Sequence, residues 1–524
     1  MHLLIPGRHH LLTNYQFHYL YSMIHAGLAG EKDIYGKVLK HQKIESVIFG
    51  VTSANHHGTR RNPLPYAFRA MAIQDFGNNL PISVYSFPVE DAGQRDDFAE
   101  YTIKCVAHAS DNMFDLKPDN CIVVCSTPVA KMYDKLGFSI LGAELTETDN
   151  TYAIYPWSLM EKIAENHNWR EDKEILRLLH PASYRLFAQY RLGEKIRFLF
   201  NDPIIGDDGD ITQSRDYASY VRQMDDIANI KWHDVAPFVQ SGRIGDIGCA
   251  TGSWLKYACN DNRFQESDFF GIEITRQLYQ LCMQRKDNNE FLSPNIWFSQ
   301  KNAVTGLVFT HNSMNTIHTS SLTHEIESYG SREDLLSFIK NRFNELLPGG
   351  VWINRDVIGP ENGDQLVYMQ ATDTDGNNPD SLIDLDDPDL KTKLDNLSTY
   401  SRFLQFARDF RQTEGYAVDF EEIVFNKKKV FSLRMEDACE FMMTKDYTDN
   451  WQSEMHEKFC YWSFSDWKAA LENAGFFVHP DSRQFTNQWI AQNRFQDKVK
   501  LYTPEGIKIA YPPTTMICIA QKPL

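Results

Sequence analysis

Residues 243–253 read Arg243-Ile-Gly-Asp-Ile-Gly-Cys-Ala-Thr-Gly-Ser253, and this stretch decides the fold of the chain around it. The run RIGDI is typical of a short buried strand, and the run SWLKYACN after the glycines is typical of a helix. Small residues in the turn let the backbone approach a ligand closely, and the helix start offers free N–H groups to it. The stretch therefore predicts a cofactor site between a strand and a helix of an α/β domain.

A second strand-like run supports this prediction. The residues DFFGIEI follow the helix and carry Glu273 near their end. A carboxylate in this place accepts hydrogen bonds from both hydroxyls of a ribose. The pair of strands therefore favours a cofactor that contains a ribose.

The motif DIGCATG resembles the first motif of the class I S-adenosylmethionine-dependent methyltransferases, D-x-G-x-G-x-G, with Ala250 in place of the middle glycine. Further segments resemble this family in the same chain order: FSQKNAV, NTIHTSSLTHEIESYG, LLPGGVWINRD, YWSFSDWKAALENAGF and PTTMICIAQKPL. The resemblance spans residues 232–360 and 460–524 and implies S-adenosylmethionine as the cofactor. It implies that the residues around this cofactor are Asp246, Gly248, Cys249, Ala250, Thr251, Gly252, Glu273, Asn302 and Ser320.

Two alternatives to a methyltransferase follow from the same loop. A dinucleotide-binding fold has the pattern G-x-G-x-x-G, with two residues before the third glycine. Here Gly248, Ala250 and Gly252 are separated by one residue each, and a Pro-Gly-Gly turn precedes the fifth predicted strand. Both features favour methyl transfer over hydride transfer. The other alternative is a protein that binds the cofactor without catalysis.

The resemblance places the loop after the fourth strand at the sulfonium, because ligands bind outside the carboxyl ends of parallel strands. His324 and Glu325 in this loop are the candidate catalytic base and its partner. The alternative is that both residues only hold the shape of the loop. The tetrapeptide of DNA amino-methyltransferases is absent here. A small molecule, or a protein, is therefore the expected methyl acceptor.

An insertion at about residues 361–460 interrupts the α/β pattern and is predicted to cover the acceptor. Its acidic stretch DTDGNNPDSLID has Asn378 and Asp384 where a calcium loop needs Gly and Glu, so a solvated loop is favoured and no metal site is predicted. Its later part supplies candidate lining residues for the acceptor pocket: Tyr447, Trp451, Glu454, His456 and Glu457.

The first 150 residues also alternate strand-like and helix-like runs, which predicts a parallel sheet with a strand ending at Gly7 and a helix beginning near Asn14. Four stretches resemble the nicotinamide-mononucleotide adenylyltransferases of the nucleotidyltransferase superfamily: IPGRHHLLTNYQFHYLYS, GVTSANHHGTRRNPLPYAFRAMAI, YSFPVED and VVCSTPVAKMYDKLGF. The resemblance implies a nucleotide site formed by Gly7, Arg8, Thr13, Gln16 and Arg69, with His9, His10, Arg60 and Arg61 as further candidate phosphate contacts.

This amino-terminal resemblance has two departures. The segment Thr13-Asn14-Tyr15-Gln16 stands where the family has T-x-G-H, and the late I-S-x-T-x-x-R signature is missing. Because adenylyl transfer depends on stabilised negative charge, we expect nucleotide binding without efficient transfer. The alternatives are an active adenylyltransferase that uses ATP and Mg²⁺, and a domain with an assembly role only.

The whole chain has 524 residues, of which 42% are hydrophobic, so it has ample material for packed cores. The sequence predicts two Rossmann-like, doubly wound parallel-sheet domains, at 1–150 and 232–524, joined by a helical connector at 151–231. A net charge of −17 disfavours nucleic acid as a partner. The nine scattered cysteines, the lack of a long apolar run and the lack of a signal-like start predict a cytoplasmic protein that does not insert into a membrane.

Overall fold

The structure is a computed structural model that describes residues 1–91, 95–125, 129–142, 155–200 and 217–524. The chain forms two compact units, Met1–Ile211 and Thr212–Leu524. The segment 151–231, predicted as a helical connector, is divided between these two units.

The first unit contains a five-stranded, fully parallel sheet with the strand order β3-β2-β1-β4-β5. Its strands are β1 (His2–Gly7), β2 (Ser46–Thr52), β3 (Ser83–Val89), β4 (Cys121–Val124) and β5 (Ile140–Leu141). Its helices are α1 (Asn14–Ala26), α2 (Tyr66–Gly77), α3 (Phe98–Ala109), α4 (Ala130–Lys135), α5 (Pro156–Glu165), α6 (Lys173–Leu178), α7 (Pro181–Gln189) and α8 (Leu192–Phe200). The predicted end of the first strand and start of the first helix are both confirmed.

Helices α5 to α8 belong to the core of this first unit. Trp169, Phe187 and Ile196 from this region are buried in one apolar cluster with Leu3 and Phe49 from the sheet. The helical character predicted for residues 156–200 is confirmed, and these helices pack on a parallel sheet whose strands β2 and β4 are almost entirely buried.

The main sheet of the second unit has the order β14-β18-β10-β9-β6-β7-β8, with β15 paired to β18. Its strands are β6 (Arg243–Ile247), β7 (Asp268–Glu273), β8 (Ile296–Gln300), β9 (Met314–Ser320), β10 (Leu346–Asp356), β14 (Phe477–Val478), β15 (Arg483–Phe485) and β18 (Thr515–Gln521). Strands β6 to β10 are parallel, whereas β18 runs antiparallel to its neighbours β10 and β14. The predicted strand and helix on either side of the glycine-rich turn are confirmed.

A third, antiparallel sheet lies in the second unit and was not predicted. Its order is β12-β13-β11-β16-β17, built from β11 (Leu366–Ala371), β12 (Phe420–Phe425), β13 (Lys428–Arg434), β16 (Val499–Tyr502) and β17 (Lys508–Ile509). The insertion predicted at 361–460 therefore shares its sheet with residues 499–509. The prediction of parallel sheets throughout was wrong on this point and for β18.

The helices of the second unit are α9 (Tyr217–Val235), α10 (Ser253–Asn260), α11 (Arg276–Asp287), α12 (Thr323–Tyr329), α13 (Arg332–Glu345), α14 (Leu390–Asp395), α15 (Thr399–Asp409), α16 (Met435–Thr444), α17 (Trp451–Glu454), α18 (Phe464–Asn473) and α19 (Gln488–Ile490). Among the described residues, no helix combines the length and the apolar character needed to cross a membrane. All nine cysteines lie in the described ranges as free thiols.

Candidate functional site

The glycine-rich turn lies where the main sheet of the second unit changes direction, because β6 has β7 on one side and β9 on the other. Ligands bind at such switch points in α/β sheets. Gly248 and Gly252 have φ values of +69° and +72°, a region that glycine adopts without strain. Ala250 has a φ of +46°, so this alanine carries the left-handed conformation that the family pattern gives to glycine, a cost of about 1–2 kcal/mol.

Glu273, at the end of β7, stabilises this turn through hydrogen bonds. Its Oε2 accepts a 2.8 Å hydrogen bond from the Ala250 amide, and its Oε1 accepts 2.9 Å hydrogen bonds from the amides of Ile274 and Thr275. Burial raises the pKa of Glu273, opposed by these amide hydrogen bonds. Because each carboxylate oxygen accepts about two hydrogen bonds, Oε2 retains room for one ligand hydroxyl.

Asp246, at the end of β6, pairs with a histidine that the sequence analysis missed. His318 on β9 lies opposite Asp246 in register, and its Nδ1 is 2.7 Å from Oδ1 of Asp246. The His318 ring stacks on Trp254 at a centroid distance of 4.0 Å. Burial lowers the pKa of His318, so the ring is neutral and donates from Nδ1. Its only sequence signal was its place in the predicted fourth strand.

Two buried polar atoms on β9 have no hydrogen-bond partner among the described residues. They are Nε2 of His318 and Oγ of Ser320. Because the two residues are two apart on a strand, they share one face of the sheet. Buried polar groups are normally hydrogen-bonded, so these atoms mark a place where a ligand would be stabilised.

Helix α9 contributes a second set of residues that sequence reasoning missed. Asp225 on α9 forms a 2.6 Å ion pair with Arg285 on α11 and accepts a 3.1 Å hydrogen bond from Oγ1 of Thr251. Arg285 also donates to the carbonyl of Thr251 at 3.0 Å. The hydroxyl of Thr251 is therefore used inside the protein, and it is 1% exposed. No short-range pattern links residues 225, 251 and 285.

The remaining predicted cofactor residues are buried around the turn. Asn302 is 2% exposed after β8 and accepts a 2.9 Å hydrogen bond from the Val304 amide. A hydrogen bond with the thiol of Cys282, together with burial, raises the pKa of Cys249 well above its ordinary value. The Cys282 thiol also donates to the carbonyl of Ala250. The contacts of Cys282 hold Cys249 and Ala250 together in the turn, whereas the hydrogen bond of Asn302 is local to the loop after β8.

His324 and Glu325 lie beyond the carboxyl end of β9, as predicted, at the start of α12. Nδ1 of His324 is 2.8 Å from Oδ1 of Asp356, and Nε2 is 3.6 Å from Oε2 of Glu457. Although burial acts against it, the charges of Asp356 and Glu457 raise the pKa of His324 well above 6.5. These two carboxylates therefore favour the protonated form of the His324 ring in the ligand-free protein.

The insertion supplies Glu457 to this site, one of the predicted lining residues. Glu457 is 3% exposed, and its Oε1 accepts a 3.0 Å hydrogen bond from the hydroxyl of Tyr329. By contrast, Trp451 donates to Asp409 inside the core, and His456 pairs with Glu414 at the surface. Of these three residues, Glu457 is the one that the structure brings to His324.

Lys231 on α9 faces the same loop and was also missed. Its Nζ donates a 3.2 Å hydrogen bond to Oγ of Ser321, whose φ is +53°. Burial lowers the pKa of Lys231 to about 8, opposed in part by the charges of Asp356, Asp246 and Glu325. The loop after β9 thus has a buried ammonium on one side and carboxylates on the other.

The first unit contains a cavity of about 610 Å³ at the carboxyl ends of β1 and β4, where its parallel sheet changes direction. Gly7, Arg8 and Gln16 line this cavity, together with Trp157 and Met160 of α5. A second cavity of about 560 Å³ shares Arg8 and Trp157 with the first and adds Arg60 and Arg61. Glu161 and Glu165 also line the second cavity, so the three arginines leave it one positive charge in excess for a phosphate group.

Thr13 and Arg69 do not line either of these two cavities. Oγ1 of Thr13 accepts from the Gln16 amide, and Oε1 of Gln16 accepts from the Thr13 amide, so the pair forms a capping box at α1. Arg69 is buried and donates to the carbonyls of Arg8, Thr52 and Ser53. Burial lowers the pKa of Arg69 to about 10. Thr13 therefore caps α1, and Arg69 holds the segments that follow β1 and β2.

The two histidines of this region are uncharged. Burial lowers the pKa of His9 to about 4 and that of His10 well below 6.5. Both rings line the larger cavity. Neutral His9 donates its one N–H to the carbonyl of Ile5 at 3.1 Å. The cationic groups at the two cavities are therefore arginines, among them Arg8, Arg60 and Arg61.

Comparison with known proteins shows no matching family model and no matching curated protein. Among solved structures, a candidate methyltransferase in complex with the Trm112 methyltransferase activator of Haloferax volcanii is 13% identical, with 60% of this chain and 98% of that chain covered and a TM-score of 0.32. A candidate S-adenosylmethionine-dependent methyltransferase of Listeria monocytogenes is 13% identical, with 57% and 100% covered and a TM-score of 0.30. An S-adenosylmethionine-dependent methyltransferase of Methanosarcina mazei is 14% identical, with 56% of this chain and 97% of that chain covered and a TM-score of 0.28.

The fold and the turn define a mixed α/β protein with parallel sheets whose neighbours among solved structures are S-adenosylmethionine-dependent methyltransferases. These TM-scores are below 0.5 and the identities are below 25%. The function proposed below is therefore based on the strand order and the geometry of the site.

Proposed function

We propose that the unit Thr212–Leu524 is an S-adenosylmethionine-dependent methyltransferase that acts on a small molecule. This proposal rests mainly on one observation. Glu273 accepts a hydrogen bond from the Ala250 amide and so holds the glycine-rich turn at the switch point between β6 and β9. The turn brings backbone close to a ligand, and the one remaining acceptor position on Glu273 suits a ribose hydroxyl. The unpartnered Nε2 of His318 and Oγ of Ser320 add two polar atoms on the same side.

The cofactor of this site supplies an activated methyl group, so the protein has to align donor and acceptor and, for some acceptors, to remove a proton. His324 and Glu325 are the proposed residues at the acceptor. The charge on His324 favours a role in holding an anionic or hydroxyl acceptor over a role as a base at neutral pH. Asp356 orients the His324 ring through Nδ1.

Two other functions stay open for the same unit and the whole chain. One is cofactor binding without methyl transfer, in which the loop after β9 would be structural. The other is a protein acceptor in place of a small molecule.

For the first unit we propose a Rossmann-like domain that binds a nucleotide without efficient adenylyl transfer. The cavity of about 610 Å³ at the strand ends, next to the cavity lined by Arg8, Arg60 and Arg61, supports nucleotide binding. The mutual capping of Thr13 and Gln16 argues against transfer, because the side chain in the place of the family's second histidine is used within the protein. An active adenylyltransferase with ATP and Mg²⁺ is the alternative.

One experiment tests the methyltransferase proposal directly. Calorimetric titration of the full chain with S-adenosylmethionine should show one binding site of micromolar-scale affinity. Incubation with methyl-labelled cofactor and a metabolite extract should then move label into a low-mass product, which mass spectrometry identifies. Binding without any labelled product would favour the non-catalytic alternative, and absence of binding would contradict the proposal.

A further inference from the structure

Four ionisable side chains lie together at the start of α12, outside the cofactor contacts described above. They are His324, Glu325, Asp356 and Glu457, and they bring the loop after β9, the end of β10 and the insertion to one point. We propose that His324, Glu325 and Glu457 bind a divalent first-row transition-metal cation such as Mn²⁺ or Zn²⁺. This site goes beyond the proposed methyl transfer, because binding of the metal requires no cofactor.

The spacing of the three side chains fits one ion. A ligand atom from each lies within 4.8 Å of the others. Nε2 of His324 and Oε2 of Glu457 are 3.6 Å apart. Two ligands that are each about 2.1 Å from a tetrahedral metal are about 3.4 Å from one another. The side chains therefore stand close to the separation that a shared cation imposes.

The orientation of His324 is the one found in metal sites. Oδ1 of Asp356 accepts a 2.8 Å hydrogen bond from Nδ1 of the ring, and Nε2 is directed to Glu457. A ligating histidine commonly donates its other nitrogen to a carboxylate, which fixes the ring and strengthens the ligand. Asp356 is itself held, because its Oδ2 accepts 2.6 Å hydrogen bonds from the amide and the hydroxyl of Thr323.

Glu457 is also held in place by the three residues that follow it. The amide of Lys458 donates to Oγ of Ser328 at 2.8 Å, which ties this segment to α12. The amides of Phe459 and Cys460 donate to the two oxygens of Glu440 at 2.8 Å each. The hydroxyl of Tyr329 occupies Oε1 of Glu457, so Oε2 is the oxygen that faces His324. A site with ligands held in this way is preorganised for an ion.

The negative charge of the cluster favours the binding of a cation. Asp356 and Glu457 are buried and Glu325 is half-buried, so three carboxylates meet in a region of restricted solvent. Binding of the ion displaces the proton from Nε2 of His324, because a ring nitrogen that carries a proton has no electron pair for a metal. The divalent ion then compensates the buried carboxylates of Asp356 and Glu457 in place of that proton. The imidazole suits Zn²⁺ and the two carboxylates suit Mn²⁺, so both ions are candidates for this mixed set of ligands.

The position of the cluster gives the ion a role if the proposed function is correct. Leu322, two residues before His324, contacts the glycine-rich turn, since a Cβ at Gly248 would lie 3.2 Å from it. On that function, the ion would hold an oxygen of the methyl acceptor. This role rests on the proposed function, whereas the metal site itself does not.

The test is metal binding by the full chain. Protein stripped with EDTA and returned to chelator-free buffer is titrated with MnCl₂, and the electron paramagnetic resonance signal of free Mn²⁺ is recorded. We expect one tight equivalent in the wild type. Glu457→Gln and His324→Gln should each weaken this equivalent by about 10–100-fold or more. Glu414→Gln is the matched control, because Glu414 pairs with a histidine of the same insertion outside the cluster, and it should bind like the wild type.

Circular dichroism and thermal unfolding of the metal-free variants show whether each one folds. In the folded wild type, Mn²⁺ should raise the unfolding temperature, and in Glu457→Gln it should not. A wild type without a tight equivalent, or wild-type affinity in both cluster variants, would overturn the proposal. A parallel titration with S-adenosylmethionine separates the two proposals, because loss of cofactor binding with intact Mn²⁺ binding contradicts only the methyltransferase.

Discussion

The backbone amide of Ala250 donates a 2.8 Å hydrogen bond to Oε2 of Glu273, so the two segments that the sequence predicts to contact the cofactor also contact each other. The strained turn and the carboxylate are therefore one structural element. A change in Glu273 will alter the turn as well as the ribose contact.

Replacement of Glu273 is expected to affect both binding and stability. Glu273→Ala removes an acceptor from three amides and from the proposed ribose hydroxyl, and the loss of a charged hydrogen-bond partner is worth about 1–3 kcal/mol. We expect weaker calorimetric binding of S-adenosylmethionine by this amount and a lower unfolding temperature. Glu266→Gln, at an exposed site before the same strand, should change neither. Unchanged binding in Glu273→Ala would remove Glu273 from the cofactor site.

A side chain at Gly248 is expected to abolish cofactor binding. Gly248 has a φ of +69°, and a Cβ there would lie 3.2 Å from the Leu322 side chain, so Gly248→Val fills the space against the turn. Gly415→Val is the control, because Gly415 has a φ of +76° with nothing within 4 Å of an added Cβ. Calorimetry should show no binding in the first variant and wild-type binding in the second. Equal binding by both would contradict the motif assignment.

The loop after β9 is expected to decide methyl transfer without deciding cofactor affinity. His324→Ala should lower turnover by about 100-fold or more, because a positioned polar group at the acceptor is lost. The affinity for S-adenosylmethionine should change less than about twofold, since the proposed ribose contact lies on Glu273. His311→Ala, an exposed histidine of the same unit, should have wild-type turnover. Near-wild-type turnover of His324→Ala would show that the loop is structural.

The arginine-lined cavity is expected to set nucleotide affinity in the first unit. The double change of Arg60 and Arg61 to Ala should weaken binding of ATP by about 10–100-fold, the scale of one charged hydrogen bond. Lys117→Ala lies outside both cavities and should bind normally. Pyrophosphate release with nicotinamide mononucleotide, nicotinate mononucleotide or phosphopantetheine should stay at background. Robust release would show that another donor has replaced the missing histidine.

Glu440 is expected to make stability fall with rising pH. Burial raises its pKa from 4.5 to about 7, so between these values the folded protein holds a proton that the unfolded chain has released. The free energy of unfolding therefore decreases by about 2–3 kcal/mol between pH 5 and pH 8 through this group. Chemical unfolding should show this slope in the wild type relative to Glu440→Gln. The exposed Glu421→Gln should keep the wild-type slope, and a slope that also persists in Glu440→Gln would assign it elsewhere.

Much of the fold could be predicted because its signals are local. The strand β6, the glycine-rich turn and helix α10 follow each other in sequence, and the side chains that form them are neighbours along the chain. The start of α1 after Thr13 is of the same kind. The positions of His324 and Glu325 followed from the rule that functional loops come after parallel strands.

The residues that the sequence analysis missed were missed for a different reason. Asp225 reaches the turn from a preceding helix, and Lys231 on the same helix reaches Ser321 in the loop after β9. Such contacts depend on how distant elements pack, and no spacing in the chain encodes them. Strand β16 was missed because its partner β11 lies far away in sequence. Strand β17, which pairs with β16, was missed because it has only two residues.

The interleaving of β11 and β16 has a consequence for how the second unit can be divided. The segment Asp373–Asp389 is largely exposed and lies between β11 and the rest of the insertion. A cut there would give two pieces, yet each sheet would need both of them, since β18 sits beside β10 and β11 sits between β13 and β16. The two pieces should therefore remain associated after proteolysis, and separately expressed pieces should complement one another to regenerate the folded unit.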